Sequence, residues 1–181
     1  AQARADLLDD PAAHLRLVEP DDSWRLRFTV LAREYALAGE TRYDTAADDF
    51  DAFLARLRRY ARGADLPEGH VPGPTFWATA GGTLVGAIRL RPRLLPHLEL
   101  YGGHIGYDVR PALRGRGCAT RMLALCLDRA REHGLARVLI TCDDDNLASA
   151  RVIEKCGGVL ADTRFYEPSG KRIRRYWIAL R

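Results

Sequence analysis

The chain has 181 residues, 47% hydrophobic and 29% charged, with a formal net charge of +4. A chain of this length buries one sizeable core and needs no covalent or metal staple. No run of about 18 apolar residues is present to cross a bilayer, and "AQARADLLDDPAAHLRL" lacks the basic-then-apolar order of a signal peptide, so the sequence reads as a cytoplasmic protein with no membrane partner. Cys118, Cys126, Cys142 and Cys156 show no C-x-x-C spacing and the histidines form no H-x-x-x-H pair. That pattern predicts reduced thiols and no metal. The basic residues are nearly all arginine, Lys155 and Lys171 being the exceptions, and they alternate with acids along the chain. Nucleic acid requires clustered charge, so it is not expected as a partner.

In chain order, "HLRLVEP" reads as a short strand and Asp21 to Leu37 as an imperfectly patterned helix. In "TAADDFDAFLARLRRYARG" apolar residues recur at three and four, with Thr45 placed to cap and Gly63 to stop one helix. The Pro/Gly-rich "ADLPEGHVPGPT" is a loop. "TFWATA" and "TLVGAIRLR" flank a Gly-Gly turn, the signal of a hairpin. "HIGYDV" is strand-like, and from Ala119 the apolar residues share one helical face as far as Gly134. "RVLITC" is an apolar run suited to a strand buried on both faces, expected to run parallel to "HIGYDV". A short helix from Leu147 to Cys156 precedes a closing hairpin around "PSG", whose last strand, "KRIRRYWIAL", is expected to have a solvated face. These elements predict an α/β (α+β) domain over residues 15–181 behind an arm at 1–14, with a mixed sheet and helices on both faces.

The segment "RGRGCA", Arg114 to Ala119, falls at a strand-to-helix junction. Helix N-termini carry unpaired N–H groups and the positive end of the dipole, and glycines admit an anion close to the backbone. A phosphate or pyrophosphate site is predicted. A P-loop is excluded, because Gly117 is followed by Cys118 and not by Lys. A dinucleotide fingerprint fits poorly: Thr120 stands where the third glycine should be, and Pro111 separates strand from glycines.

"VRPALRGRGCATRML" resembles the R/Q-x-x-G-x-G/A signature of the GNAT superfamily of N-acyltransferases, with Arg114, Gly117 and Ala119 in the signature places. "DNLASARVIEKCGG" is similar to the family's downstream Asn-containing helix. The likeness spans about residues 15 to 181, and "GGHIGYDVRP", "LITCDDDN" and "RRYW" resemble a bacterial branch of predicted acetyltransferases without an assigned acceptor. The resemblance implies a mostly antiparallel sheet of six to seven strands splayed at its centre, acetyl-CoA as co-substrate, and direct acyl transfer to an amine of a small molecule or peptide. It implies that backbone N–H groups of Arg114, Gly115, Arg116, Gly117, Cys118, Ala119 and Thr120 hold the pyrophosphate. It also places the backbone of Val109 against the acyl arm as an oxyanion donor. Asn146 matches a pantetheine or amine contact, or is simply a helix cap. Ser149 and Lys155 are further carry-overs, the latter alternatively a solvated helix end.

The sequence departs from the family at Ile153, where many members carry a Tyr that protonates the departing thiolate; Tyr107, Tyr166, Tyr176 or water would have to serve. For the base that receives the amine proton, strand alternation separates Glu99 and Tyr107 from His104 and Asp108. Gly102-Gly103 could host a bulge that reverses this phase, so His104 and Glu99 remain rivals, with His104 favoured for its pKa near neutrality. The first two helices and "LAGETRY" between them are expected to line the acceptor side, where Glu40 or Asp44 would attract a cationic amine. The alternative from another class is a noncatalytic acyl-CoA-binding or sensor module. Either a monomer or a homodimer is compatible with this reading.

Overall fold

The computed structural model describes residues 10–180. Of the expected arm, residues 1–9 lie outside the described residues, and 11–14 form a turn leading into β1 (Arg16–Val18). The helix expected from Asp21 starts as a 3-10 turn, in which the Asp21 carboxylate accepts the Ser23 N–H, and continues as α1 (Arg25–Leu37). The helix expected from Thr45 is two helices, α2 (Asp44–Asp48) and α3 (Phe50–Arg62). Asp49 breaks it: its carboxylate accepts the Ala52 N–H at 2.9 Å and caps α3, the preference of a short polar side chain for a cap over a helix interior. Gly63 ends α3 with a φ of 75°, as expected.

The remaining elements follow the sequence closely: β2 (Thr75–Ala80), β3 (Thr83–Leu90), α4 (Pro96–Leu100), β4 (Ile105–Val109), α5 (Cys118–Glu132), β5 (Arg137–Asp143), α6 (Leu147–Lys155), β6 (Val159–Tyr166) and β7 (Lys171–Ala179). The helix α4 was not anticipated, and it removes Glu99 from the strand on which alternation had placed it.

The strands make two antiparallel sheets, β1-β2-β3-β4 and β5-β7-β6. The expected parallel partners β4 and β5 share no ladder among the described residues. They are sutured at one end, where the His104 N–H donates to the Leu139 carbonyl at 2.7 Å and the Leu139 N–H donates to His104 Nδ1 at 2.8 Å. A Cβ at Gly103, whose φ is 60°, would lie 2.4 Å from that Leu139 carbonyl oxygen, so only glycine lets the strands meet here.

One face of the sheets is covered by α5 and α6 over Met122, Leu123, Cys126, Ile140 and Tyr176. The other carries α1 to α3 and an aromatic cluster in which Phe28 lies 4.8 Å from Trp77 and 5.1 Å from Tyr43, ring to ring. The first cluster spans both sheets, whereas the aromatic cluster packs on the four-stranded sheet through Trp77, Leu84 and Ala87. The expected solvated face of the last strand is not found: β7 is central in its sheet, and Arg175 is buried, joining the Glu99 carbonyl to the Asp162 carboxylate.

Candidate active site

Two hydrogen bonds fix which edge of β4 is free. Arg91 N–H donates to the His104 carbonyl and Arg110 N–H to that of Val85, with Gly86 opposite Val109. In an antiparallel pair such bonds recur at every second residue, so Asp108 and Gly106 carry the ladder to β3, and Tyr107 and Val109 turn their N–H and C=O groups toward the gap. There the Val109 carbonyl accepts the Arg114 Nε–H at 2.9 Å. The Val109 N–H is left at the mouth of the splay.

A cleft of 490 Å³ opens on the α5 side of that gap, and its walls include Val109, Gly115, Gly117, Ala119, Asn146 and Ser149. Arg114, Cys118, Thr120 and Lys155 also line it, whereas Arg116 is exposed outside its wall. Gly117 has a φ of 76° and precedes α5; the first helical bond is Arg121 N–H to the Gly117 carbonyl at 3.1 Å. The N–H groups of Cys118, Ala119 and Thr120 therefore precede the helical ladder, the arrangement by which helix starts can bind anions. The Cys118 side chain is buried in the core, so its share in this cleft is its backbone. The Arg114 guanidinium holds the Glu40 carboxylate, which lines this same cleft and not the one on the α1–α3 side, through two bonds of 2.7 and 3.0 Å. This pair lowers the Glu40 pKa and occupies the carboxylate that the sequence offered to a cationic amine. Asp44 is exposed at the start of α2. Arg151, which the sequence reading passed over, joins Lys155 in the cleft wall, one helical turn away on α6.

A second cleft, also 490 Å³, lies on the α1–α3 side. Arg42 and Tyr43 reach it from "LAGETRY", and Phe53 and Leu57 from α3, as expected of the first helices. Arg42, Tyr107, Asp108, Asn146 and Ser149 line both clefts, which makes them the passage between the two.

Asp108 is the group in this passage that sequence reasoning noted and did not choose. Its carboxylate accepts from Tyr35 Oη at 2.5 Å and from Tyr43 Oη at 2.9 Å, with Arg42 Nη1 3.8 Å away. Burial raises its pKa, against the lowering effect of these donors. Burial and the neighbouring carboxylate raise both tyrosine pKa values, which keeps the phenols protonated. The available signal was the parity of Asp108 with the cleft face; the two tyrosines, 65 and 73 residues away, gave none. Tyr107, across the strand, shares a 2.8 Å hydrogen bond with Ser149 Oγ, and burial pushes its pKa up to about 12. Asn146 caps α6 by accepting the Ser149 N–H at 3.1 Å, so the cap reading describes its oxygen.

His104 and Glu99 do not join this passage. The His104 ring is buried at the suture, outside the walls of both clefts, its Nδ1 spent on the Leu139 N–H and its face 6.3 Å from the Trp177 ring. Burial lowers its pKa. The Gly-Gly pair docks β4 onto β5 and does not swing the imidazole into the cleft. Glu99 sits on α4 with its side chain exposed and outside both walls. Ile153 is fully buried in the core, Tyr176 is committed to Glu154, and Tyr166 stacks on Tyr101, so among these tyrosines it is Tyr107 that stands in the passage.

Residues 13–159 match the family described as "Acetyltransferase (GNAT) domain", and the chain belongs to that family. It is an acyltransferase of the N-acetyltransferase class. No curated protein matches the chain. Its fold is similar to that of the microcin C7 self-immunity acetyltransferase MccE, solved with acetyl-CoA and AMP, at 15% identity, TM-score 0.70 and 92% coverage of each chain. It is similar also to RimJ from Mycobacterium smegmatis, solved with CoA-disulfide, at 17% identity and TM-score 0.70, over 91% of this chain and 81% of that one. A third likeness is to a Salmonella typhimurium acetyltransferase that modifies the N-terminal serine of ribosomal protein L7/L12, at 14% identity and TM-score 0.68, over 93% and 96%. These identities establish a shared fold.

Proposed function

We propose that this protein transfers the acetyl group of acetyl-CoA to a primary amine by direct attack in a ternary complex, with Asp108 in the role that sequence reasoning gave to His104 or Glu99. The observation that carries this reading is the passage itself: two clefts meet at Asp108 and Tyr107, one walled by an anion-binding helix start and the other by aromatic and charged side chains.

The N–H groups at Gly115 to Thr120 hold the pyrophosphate, with Arg151 and Lys155 adding charge from α6. The free edge of β4 pairs with the pantetheine arm, and the Val109 N–H meets the thioester oxygen, where negative charge develops during attack. From the other cleft the Asp108 carboxylate receives the ammonium and takes its proton, since only the neutral amine attacks. As the C–N bond forms and the C–S bond breaks, the Tyr107 hydroxyl gives its proton to the thiolate and is recharged through Ser149. The four cysteines are all unpaired, which accords with a reducing, cytoplasmic setting.

Thiol release from acetyl-CoA across a panel of primary amines tests this. Acceptor-dependent release is the expected result. Binding of CoA with no release for any acceptor would instead mark a binding or sensor module.

A further inference from the structure

Most of the less exposed arginines among the described residues have found carboxylates: Arg110 pairs with Glu34, Arg174 with Asp144 and Arg175 with Asp162. Arg89 and Arg91 have not. Both are half-buried and both line the cleft on the α1–α3 side. Arg89 donates from Nη2 to the Val71 carbonyl at 2.9 Å, and its Nε–H is buried with no acceptor among the described residues. Arg91 donates from Nη1 to the carbonyls of Gly102 and Gly103 at 3.3 and 3.2 Å. Burial lowers the pKa of each, that of Arg91 to about 10, so both remain cationic at neutral pH.

A desolvated guanidinium without a counter-charge is costly, and its planar fork suits a carboxylate or phosphate. Carbonyl contacts satisfy hydrogen bonds and leave the charge unmatched. The register shows where a matching anion would sit. Ala87 pairs with Asp108 and Arg89 with Gly106, so Arg89 and Asp108 project from the same face of neighbouring strands, one two-residue step apart. Gly106 puts no side chain between them. One such step is about 7 Å.

We propose that Arg89 and Arg91 form an anion subsite, and that the acceptor is an amine that also carries a carboxylate or phosphate, reached from Asp108 across at least one strand step of about 7 Å. The amine end of this inference rests on the role proposed for Asp108. The anion end rests on the two arginines alone.

The experiment pairs 6-aminohexanoate with hexylamine, which has the same chain and no anion. Calorimetric titration into the CoA-loaded protein should show 6-aminohexanoate binding at least tenfold tighter, and Arg89→Gln should bring the ratio toward one. Arg91→Gln gives a second reading should Arg89→Gln fail to fold. An Ala-Asp peptide amide against its Ala-Asn counterpart then tells a peptide source of the anion from a free small molecule. Equal binding of both amines, or a preference that survives in the double variant, overturns the subsite. Turnover of the same amines separates the two readings. Selective binding without thiol release condemns the catalytic proposal and leaves the subsite standing; release without selectivity does the reverse.

Discussion

The two clefts that meet at Tyr107 and Asp108 are built by different means. The cleft beside α5 is assembled mainly from one stretch of chain, Tyr107 to Thr120, and from α6 with its cap, with Glu40 and Arg42 reaching it from the loop after α1. Its working groups are N–H donors placed by two glycines and a helix start, and side chains serve mainly as wall. The cleft beside α1 to α3 is assembled from residues of β2, β3, β4, β5, α3, α6 and four of the connections between elements. Backbone geometry recurs whenever a local pattern recurs, whereas a side-chain constellation must be gathered from far along the chain. On the proposed function, the first cleft serves the co-substrate and the second selects the acceptor.

The largest expected effect breaks the first cleft. Gly117→Glu puts a carboxylate among the phosphate-binding N–H groups, and two charges 4 Å apart repel by about 4 kcal/mol at an effective dielectric near 20, or about 10³-fold in CoA affinity. Because Gly117 sits at positive φ, Gly117→Asn is the control, tolerating that backbone without adding charge. Titration with CoA should show a large loss for Glu and a small one for Asn. Unchanged affinity in Gly117→Glu removes the phosphate site from this loop.

The next effect belongs to the second cleft. Asp108→Asn should lower kcat/KM about 10²-fold or more, and the acidic limb of the wild-type pH profile should lie above the ordinary carboxylate range, because burial raises this pKa. The sign for stability is opposite. A carboxyl group whose folded pKa is raised stabilises the fold below its ordinary value of 3.8 and loses that contribution as pH rises through the raised value. At neutral pH the ionised Asp108 is a cost, so Asp108→Asn should unfold no earlier than wild type. Full activity in Asp108→Asn sends the base elsewhere.

Legibility follows the same division. The hairpin at Gly81-Gly82, the helix after Gly117 and the buried strand "RVLITC" could be read because each depends on spacing within a few residues. So could the glycine turn that opens α5. What could not be read was long-range or phase-dependent: the α2–α3 break at Asp49, the short helix that carries Glu99, and the pairing of Tyr35 and Tyr43 with Asp108. His104 lies outside both clefts for a physical reason. Its chemistry suits a base, but its site is the closed end of the splay, and periodicity does not say where along a strand two sheets part.

His104→Ala sharpens that point with a smaller effect. Removing the acceptor of the buried Leu139 N–H should cost about 1 to 3 kcal/mol of stability while leaving the acidic limb of the pH profile in place. Because burial lowers its pKa, neutral His104 stabilises the fold above the ordinary value of 6.5, a contribution lost as pH falls through the lowered one. The cost of His104→Ala, measured by denaturation, should therefore be larger at pH 8 than at pH 5. A lost acidic limb with unchanged stability would restore His104 to catalysis.

The smallest expected effect lies where the clefts join. Asn146 accepts the Ser149 N–H, and Ser149 Oγ in turn holds the Tyr107 hydroxyl, so the cap also positions the proposed acid. Asn146→Ala should cost about 1 kcal/mol of stability as a lost N-cap, and if that loosening reaches the transition state in full, kcat falls about fivefold. Asn146→Asp separates the cap from a contact with the pantetheine arm, because aspartate caps a helix as well as asparagine but lacks the amide N–H donors. Stability should therefore survive in Asn146→Asp while KM for acetyl-CoA rises. If Asn146→Asp matches wild type in both, the amide donates to nothing in the cleft, and Asn146 serves this site only through the helix that it begins.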